Sequence, residues 1–134
     1  MMKRLLLLPL IVMTLWVCGF AAFLIWQAQA VVQEPGAKTD AILVLTGGTN
    51  RTHTGLMLLA AGQAEHLMIS GVEPGVTLEN LIALYDFAGP IATILRNHCC
   101  ITLGQQATST VENAIEAAPW IIENNLTTIR LVTS

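Results

Sequence analysis

Asp40-Ala41-Ile42-Leu43-Val44-Leu45-Thr46-Gly47-Gly48 decides the reading of this chain. Five apolar residues follow one another from Ala41 to Leu45 with no polar alternation. A strand with one wet face alternates, whereas a strand covered on both faces reads as a continuous apolar run. The stretch therefore predicts a buried strand of a parallel sheet, and Gly47-Gly48 closes it with a sharp turn.

Downstream the period switches to that of helices. Residues 52–61 place Leu56, Leu59 and Ala60 on one face, with Gly62 as the stop. A second short strand, 66–70, ends at Gly71. Residues 77–87 carry Leu78, Leu81, Ile82 and Tyr85 at amphipathic spacing. Gly89-Pro90 breaks that pattern, and 91–97 suit another turn or two of helix. Residues 100–103 read as a third strand. Ser109 opens a further helix with a capping box, because Glu112 can reach back to the cap N–H. Val111, Ala114, Ile115, Ala118 and Ile122 are its expected buried stripe, and Pro119 predicts a kink or local break. Residues 128–134 form a fourth strand. Strands alternating with helices predict an α/β fold with a mostly parallel sheet. An end on a bare strand predicts truncation at the C-terminus.

Upstream, Lys3-Arg4 precede 22 residues without a charge, 5–26. As a helix that run reaches roughly 33 Å, the length of a bilayer's hydrocarbon core. It predicts one N-terminal transmembrane helix with the bilayer as partner through residues 5–26. The basic head places its start in the cytoplasm. The expected localisation is the bacterial cytoplasmic (inner) membrane, single pass, with the C-terminal domain periplasmic. The rival reading is a cleaved signal peptide, since Ala28-Gln29-Ala30 has the form of a cleavage site. The expected organisation is an anchor at 1–27, a tether at 28–38 and an α/β domain at 39–134.

From Pro35 onward Lys38, Arg51, Arg96 and Arg130 face eight acidic side chains, a net charge of −4. That balance excludes an electrostatic nucleic-acid footprint. Cys99 and Cys100 are adjacent, and neighbouring cysteines rarely bridge each other, so they are expected as small apolar residues opening a buried strand. His98 beside them lacks a second ligand cluster, and no metal site is read.

Ligands of open parallel sheets bind beyond the carboxyl ends of the strands. The loop Thr46-Gly47-Gly48-Thr49-Asn50-Arg51 is the richest there. Its glycines allow close backbone approach, and Arg51 adds a planar charged fork suited to phosphate or carboxylate. It is neither a dinucleotide fingerprint nor a phosphate-binding P-loop, and no cofactor is named. Ser70-Gly71 and the segment from Gln105 to Asn113 arrive at the same edge. Glu112 and His53 are the catalytic candidates, although capping explains Glu112 and a surface position would explain His53. No histidine within that segment supplies a local serine–histidine pair.

Taken in order, 40–48 with Arg51, Ala61-Gly62-Gln63-Ala64 leading to Met68-Ile69-Ser70-Gly71, Leu103-Gly104, Ala107, Thr110, Glu112-Asn113-Ala114 and Leu131-Val132-Thr133-Ser134 resemble the YdcF/SanA/ElyC family of bacterial envelope proteins. The resemblance covers about 38–134. It implies a Rossmann-like three-layer fold with a polar pocket at the carboxyl edge of the sheet. It carries functional roles onto Gly47, Gly48, Arg51, Ser70, Gly71, Thr110, Glu112 and Asn113. It implies a link to peptidoglycan or lipid-carrier metabolism, and one soluble member is linked to S-adenosylmethionine. Two departures stand out. Gln105-Gln106 occupies the place of an acid, and the family's histidine and arginine after the Val-Thr-Ser strand are absent. The leading expectation is a membrane-anchored envelope protein acting on or binding a phosphorylated or lipid-linked precursor. The alternative is a non-catalytic module that binds a nucleotide or S-adenosylmethionine-like ligand, or serves envelope assembly.

Overall fold

The computed structural model describes residues 2–29, 36–48 and 50–133, with the first helix's side chains described at Pro9 and 11–26. The chain divides into two compact units, Met1–Pro35 and Gly36–Ser134. Most of the expected tether lies outside the described residues.

The first unit is helix α1, Met2–Gln29, with Trp16 and Phe20 stacked at 5.7 Å. Its described side chains are exposed. Among the described residues no helix is long and apolar enough to cross a membrane. This corrects the expected transmembrane helix, the bilayer partnership through 5–26 and the single-pass inner-membrane localisation. The reading of a membrane-anchored protein acting on a lipid-linked precursor falls with them.

The second unit alternates strand and helix. Strand β1 (Ala41–Leu45) is followed by α2 (Arg51–Ala60), β2 (His66–Ser70), α3 (Leu78–Leu84) and α4 (Gly89–Asn97). Then come β3 (Ile101–Leu103), α5 (Thr110–Glu123) and β4 (Ile129–Val132). All strand pairs are parallel, in the order β3-β2-β1-β4. The five-residue apolar run takes a central position, with Ala41 opposite both His66 and Ile129.

Two cores explain why β1 does not alternate. Ile42 and Val44 pack with Leu56 and Leu59 of α2, Leu81 and Ile82 of α3, and Ala92 and Leu95 of α4. Ala41 and Leu43 point the other way, onto Met68, Ala117 and Trp120. Each fully buried Val, Leu or Ile contributes about 1.5–3 kcal/mol. Helix α2 comes close because Gly55 lacks a side chain: a Cβ there would lie 2.3 Å from Val44 Cγ2.

The orientation of α5 corrects the expected stripe. Val111, Ile115 and Ile122 are 70%, 66% and 75% exposed, and Asn113, Ala117 and Trp120 face inward instead. Those three sit at i, i+4 and i+7, the opposite side of the helix. Trp120 fills the second core and its indole N–H donates to Thr102 Oγ1 at 3.1 Å. A large ring with a satisfied polar tip outweighs several branched aliphatics. Pro119 does not break the helix, which runs on to Glu123. The carbonyl that it frees, on Ile115, belongs to an exposed residue that water can serve.

Cys99 and Cys100 form a disulfide with their Cα atoms 3.7 Å apart. This corrects the expectation of two separate buried thiols, and Cys99 is in fact exposed. Below the sheet, Asp40 accepts from the Thr127 N–H at 2.8 Å, the Thr127 hydroxyl at 2.6 Å and the Thr128 N–H at 2.8 Å, tying the start of β4 to that of β1.

Candidate functional site

The carboxyl ends of β1, β2 and β3 deliver three loops to one edge of the sheet. A cavity of about 270 Å³ opens between them. Thr46 and Gly47 line it from the first loop, Gly71 from the second and 107–109 from the third, while Thr110 and Asn113 close it from α5.

Ser109 caps α5, its hydroxyl accepting from the Glu112 N–H at 3.3 Å. The remaining first-turn N–H groups, on Thr110 and Val111, have no carbonyl within the helix to meet. They carry the positive end of the helix dipole toward the cavity mouth.

Gly71 must be glycine on two counts. Its φ is +77°, and an added Cβ would fall 2.4 Å from Thr46 Oγ1 and 2.9 Å from Asn113 Oδ1. The Thr46 hydroxyl donates to the Gly71 carbonyl at 2.7 Å and so fixes the first loop to the second.

Behind the cavity lies a polar network. Ser70 is fully buried, with its hydroxyl 2.9 Å from Asn113 Oδ1 and 2.5 Å from Glu116 Oε2. Glu116 also accepts from the Gln106 N–H at 2.9 Å and from the Gly71 N–H at 3.4 Å. Its carboxylate lies over Gly104, where a Cβ would meet Oε2 at 2.2 Å. One acidic side chain thus joins β2, the third loop and α5. It faces a second cavity of about 490 Å³, shared with Ile115 and Pro119.

Gly47, Gly71, Thr110 and Asn113 come together around the first cavity, with Ser70 directly behind Asn113. Gly48 and Arg51 do not line it. Arg51 folds back over Gly48, whose added Cβ would lie 3.0 Å from Nε, and donates from Nη1 to the Leu45 carbonyl at 3.2 Å. It braces the loop.

The catalytic candidates fare worse. The His53 ring stacks on Phe87 at 5.1 Å and meets Tyr85 edge-on at 5.6 Å, as part of the packing around α2. Glu112 accepts from the Thr108 N–H and hydroxyl, both at 2.6 Å, so its carboxylate closes the third loop instead of the Ser109 cap. Those bonds, the hydroxyl first, hold its pKa below the usual carboxylate range. A carboxylate so engaged is a weak base. The reciprocal capping box occurs instead at Thr77 and Asn80.

Glu116 was missed because the expected stripe turned it outward. Asn113, Glu116, Ala117 and Trp120, read together at helical spacing, form a mixed polar and apolar face. Among the described residues no group of three or more His, Cys, Asp or Glu side chains could hold a metal ion.

Fold and cavity together define an α/β protein with a Rossmann-like parallel sheet and a polar site at its carboxyl edge. No protein-family profile and no solved structure matches the chain. Over 132 residues it is 30% identical to the uncharacterized protein RP875 of Rickettsia prowazekii (strain Madrid E), covering 98% of this chain and 70% of that protein. The chain belongs to the family of that protein.

Proposed function

We propose that the α/β unit is a non-catalytic binding module for a small anionic, nucleotide-like ligand held at the carboxyl edge of the sheet. One observation carries the reading: Asn113, only 7% exposed, stands in the cavity wall at the first turn of α5. One end of its amide meets Ser70 at 2.9 Å, and the other has no hydrogen-bond partner among the described residues. The helix N-terminus supplies N–H groups for an anion, and Gly71 keeps the space open.

The cavity of about 270 Å³ suits a phosphate or carboxylate with a few attached atoms, not a whole dinucleotide. The resemblance to the YdcF/SanA/ElyC family supports the same edge of the sheet and a nucleotide or S-adenosylmethionine-like ligand. Catalysis is disfavoured by the side chains themselves. Ser70 is sealed in, His53 is stacked among aromatics, and Glu112 is held by Thr108.

Titration calorimetry of the full chain with inorganic phosphate, adenosine monophosphate and S-adenosylmethionine tests the reading. At least one should bind, and Asn113→Leu should abolish binding while the circular dichroism spectrum is kept. Absence of binding by all three to the folded wild type overturns it.

A further inference from the structure

The Ser70 hydroxyl faces two acceptors, Asn113 Oδ1 at 2.9 Å and Glu116 Oε2 at 2.5 Å, and it has one hydrogen. Both cannot be served at once. Glu116 holds the stronger claim. It accepts N–H groups at both of its oxygens, as a carboxylate does, and its contact with Ser70 is short and charge-assisted. Ser70 then offers only a lone pair to Asn113, which must answer with an N–H. The amide does so by a half-turn that exchanges its oxygen and nitrogen. The other end of the amide has no hydrogen-bond partner among the described residues, and Asn113 lines the cavity.

We infer that Glu116 is a positioning residue that turns the oxygen of Asn113 toward the cavity, so that the site selects an anion carrying an adjacent hydrogen-bond donor such as an amino group. This rests on the ligand-binding reading above. The first turn of α5 takes the anion, and the Asn113 oxygen accepts from the donor beside it. An anion with only acceptors at that position meets a lone pair instead.

The relay makes a specific demand on substitution. In Glu116→Gln, the side-chain amide donates to Ser70, Ser70 donates to the Asn113 oxygen, and the Asn113 nitrogen turns into the cavity. Selectivity moves from donors to acceptors. Ser70→Ala cuts the relay but keeps the charge of Glu116.

Calorimetry of the full chain with inorganic phosphate, O-phosphoethanolamine and 2-phosphoglycolate separates the possibilities. The wild type should favour phosphoethanolamine over phosphoglycolate by about tenfold, the scale of one hydrogen bond gained against one lost. Glu116→Gln should abolish or reverse that ratio, and Ser70→Ala should collapse it. A preference that survives Ser70→Ala is a plain charge effect of Glu116 and overturns the inference. So does a wild type that binds phosphate and both amine and carboxylate probes equally; both outcomes leave the ligand-binding reading standing. Failure of all three probes to bind overturns the inference, and adenosine monophosphate and S-adenosylmethionine then decide the ligand-binding reading. Should either variant unfold, the wild type still decides. Its Asn113 side-chain N–H signals should be protected from exchange with water, and rapid exchange of both hydrogens overturns the inference.

Discussion

Ser70 and Glu116 stand 46 residues apart in sequence and meet at 2.5 Å, joining the end of β2 to the middle of α5. Ser70 is fully buried and Asn113 beside it is only 7% exposed, so the amide is poorly placed to exchange the lost bond for water. Replacing Ser70 by Ala should cost about 1–3 kcal/mol, the range for a buried polar group left unmatched. Glu116→Ala should destabilise less, because it is half-buried and water can reach its place. Urea unfolding of both single variants and the double variant should show the two costs to be non-additive.

Gly71 should be the least replaceable residue of the site. Gly71→Ala places a side chain at φ +77° and drives its Cβ against Thr46 Oγ1 and Asn113. The left-handed conformation alone costs about 1–2 kcal/mol. The same methyl group occupies the cavity, so phosphate binding should disappear in whatever fraction remains folded. Calorimetry beside a thermal melt checks both halves of the expectation.

Gly55 makes a different demand. A mid-helix glycine costs about 1 kcal/mol relative to Ala, so an exposed one is improved by Gly→Ala. Here the Cβ would strike Val44 Cγ2 at 2.3 Å, and the β-branched Val44 has little freedom to yield. Gly55→Ala should therefore destabilise, by about 1–3 kcal/mol as overpacking does. A higher midpoint in urea would show that α2 can lift off β1 at no cost.

The alternation of strands and helices and the parallel sheet were legible because each depends on local pattern. The run Ala41–Leu45 admits only burial on both faces, and Gly62 and Gly71 mark the ends of the next helix and strand. The face of α5 was not legible. Two stripes compete there, and the choice depends on Thr102 meeting Trp120 and on Ser70 meeting Asn113, contacts invisible to helical spacing. Glu116 was lost for that reason. Arg51 was readable as a charge near the edge, but its return to the Leu45 carbonyl is a matter of backbone geometry. Charge counts likewise could not show that Thr108 engages Glu112.

The rotation of α5 has its own test. Ile122 and Val111 face away from the second core, so Ile122→Lys and Val111→Lys should change stability by no more than about 0.5 kcal/mol, as surface substitutions do. Ala117→Lys, on the buried side, should prevent folding. Equal losses at Ile122 and Ala117 would return the helix to the stripe expected from spacing.

Asp40 provides the pH dependence. Three bonds from Thr127 and Thr128, the Thr127 hydroxyl foremost, hold its pKa well below the usual carboxylate range. A folded-state pKa lower than the unfolded one means that the unfolded chain binds the proton more readily. The stabilisation is therefore complete above the unfolded value near 3.8 and is lost as pH falls from there through the folded value. All three donors converge on Oδ2, so Asp40→Asn can still present its amide oxygen to them but loses the charge that strengthens each bond. The variant should melt below the wild type at neutral pH, and the two curves should converge in strong acid. Because the contact clamps β4 onto β1, hydrogen exchange in the variant should quicken first at Ile129 and Arg130. A gap between the melting curves that persists undiminished into strong acid would mean that the carboxylate's charge contributes nothing to holding β4.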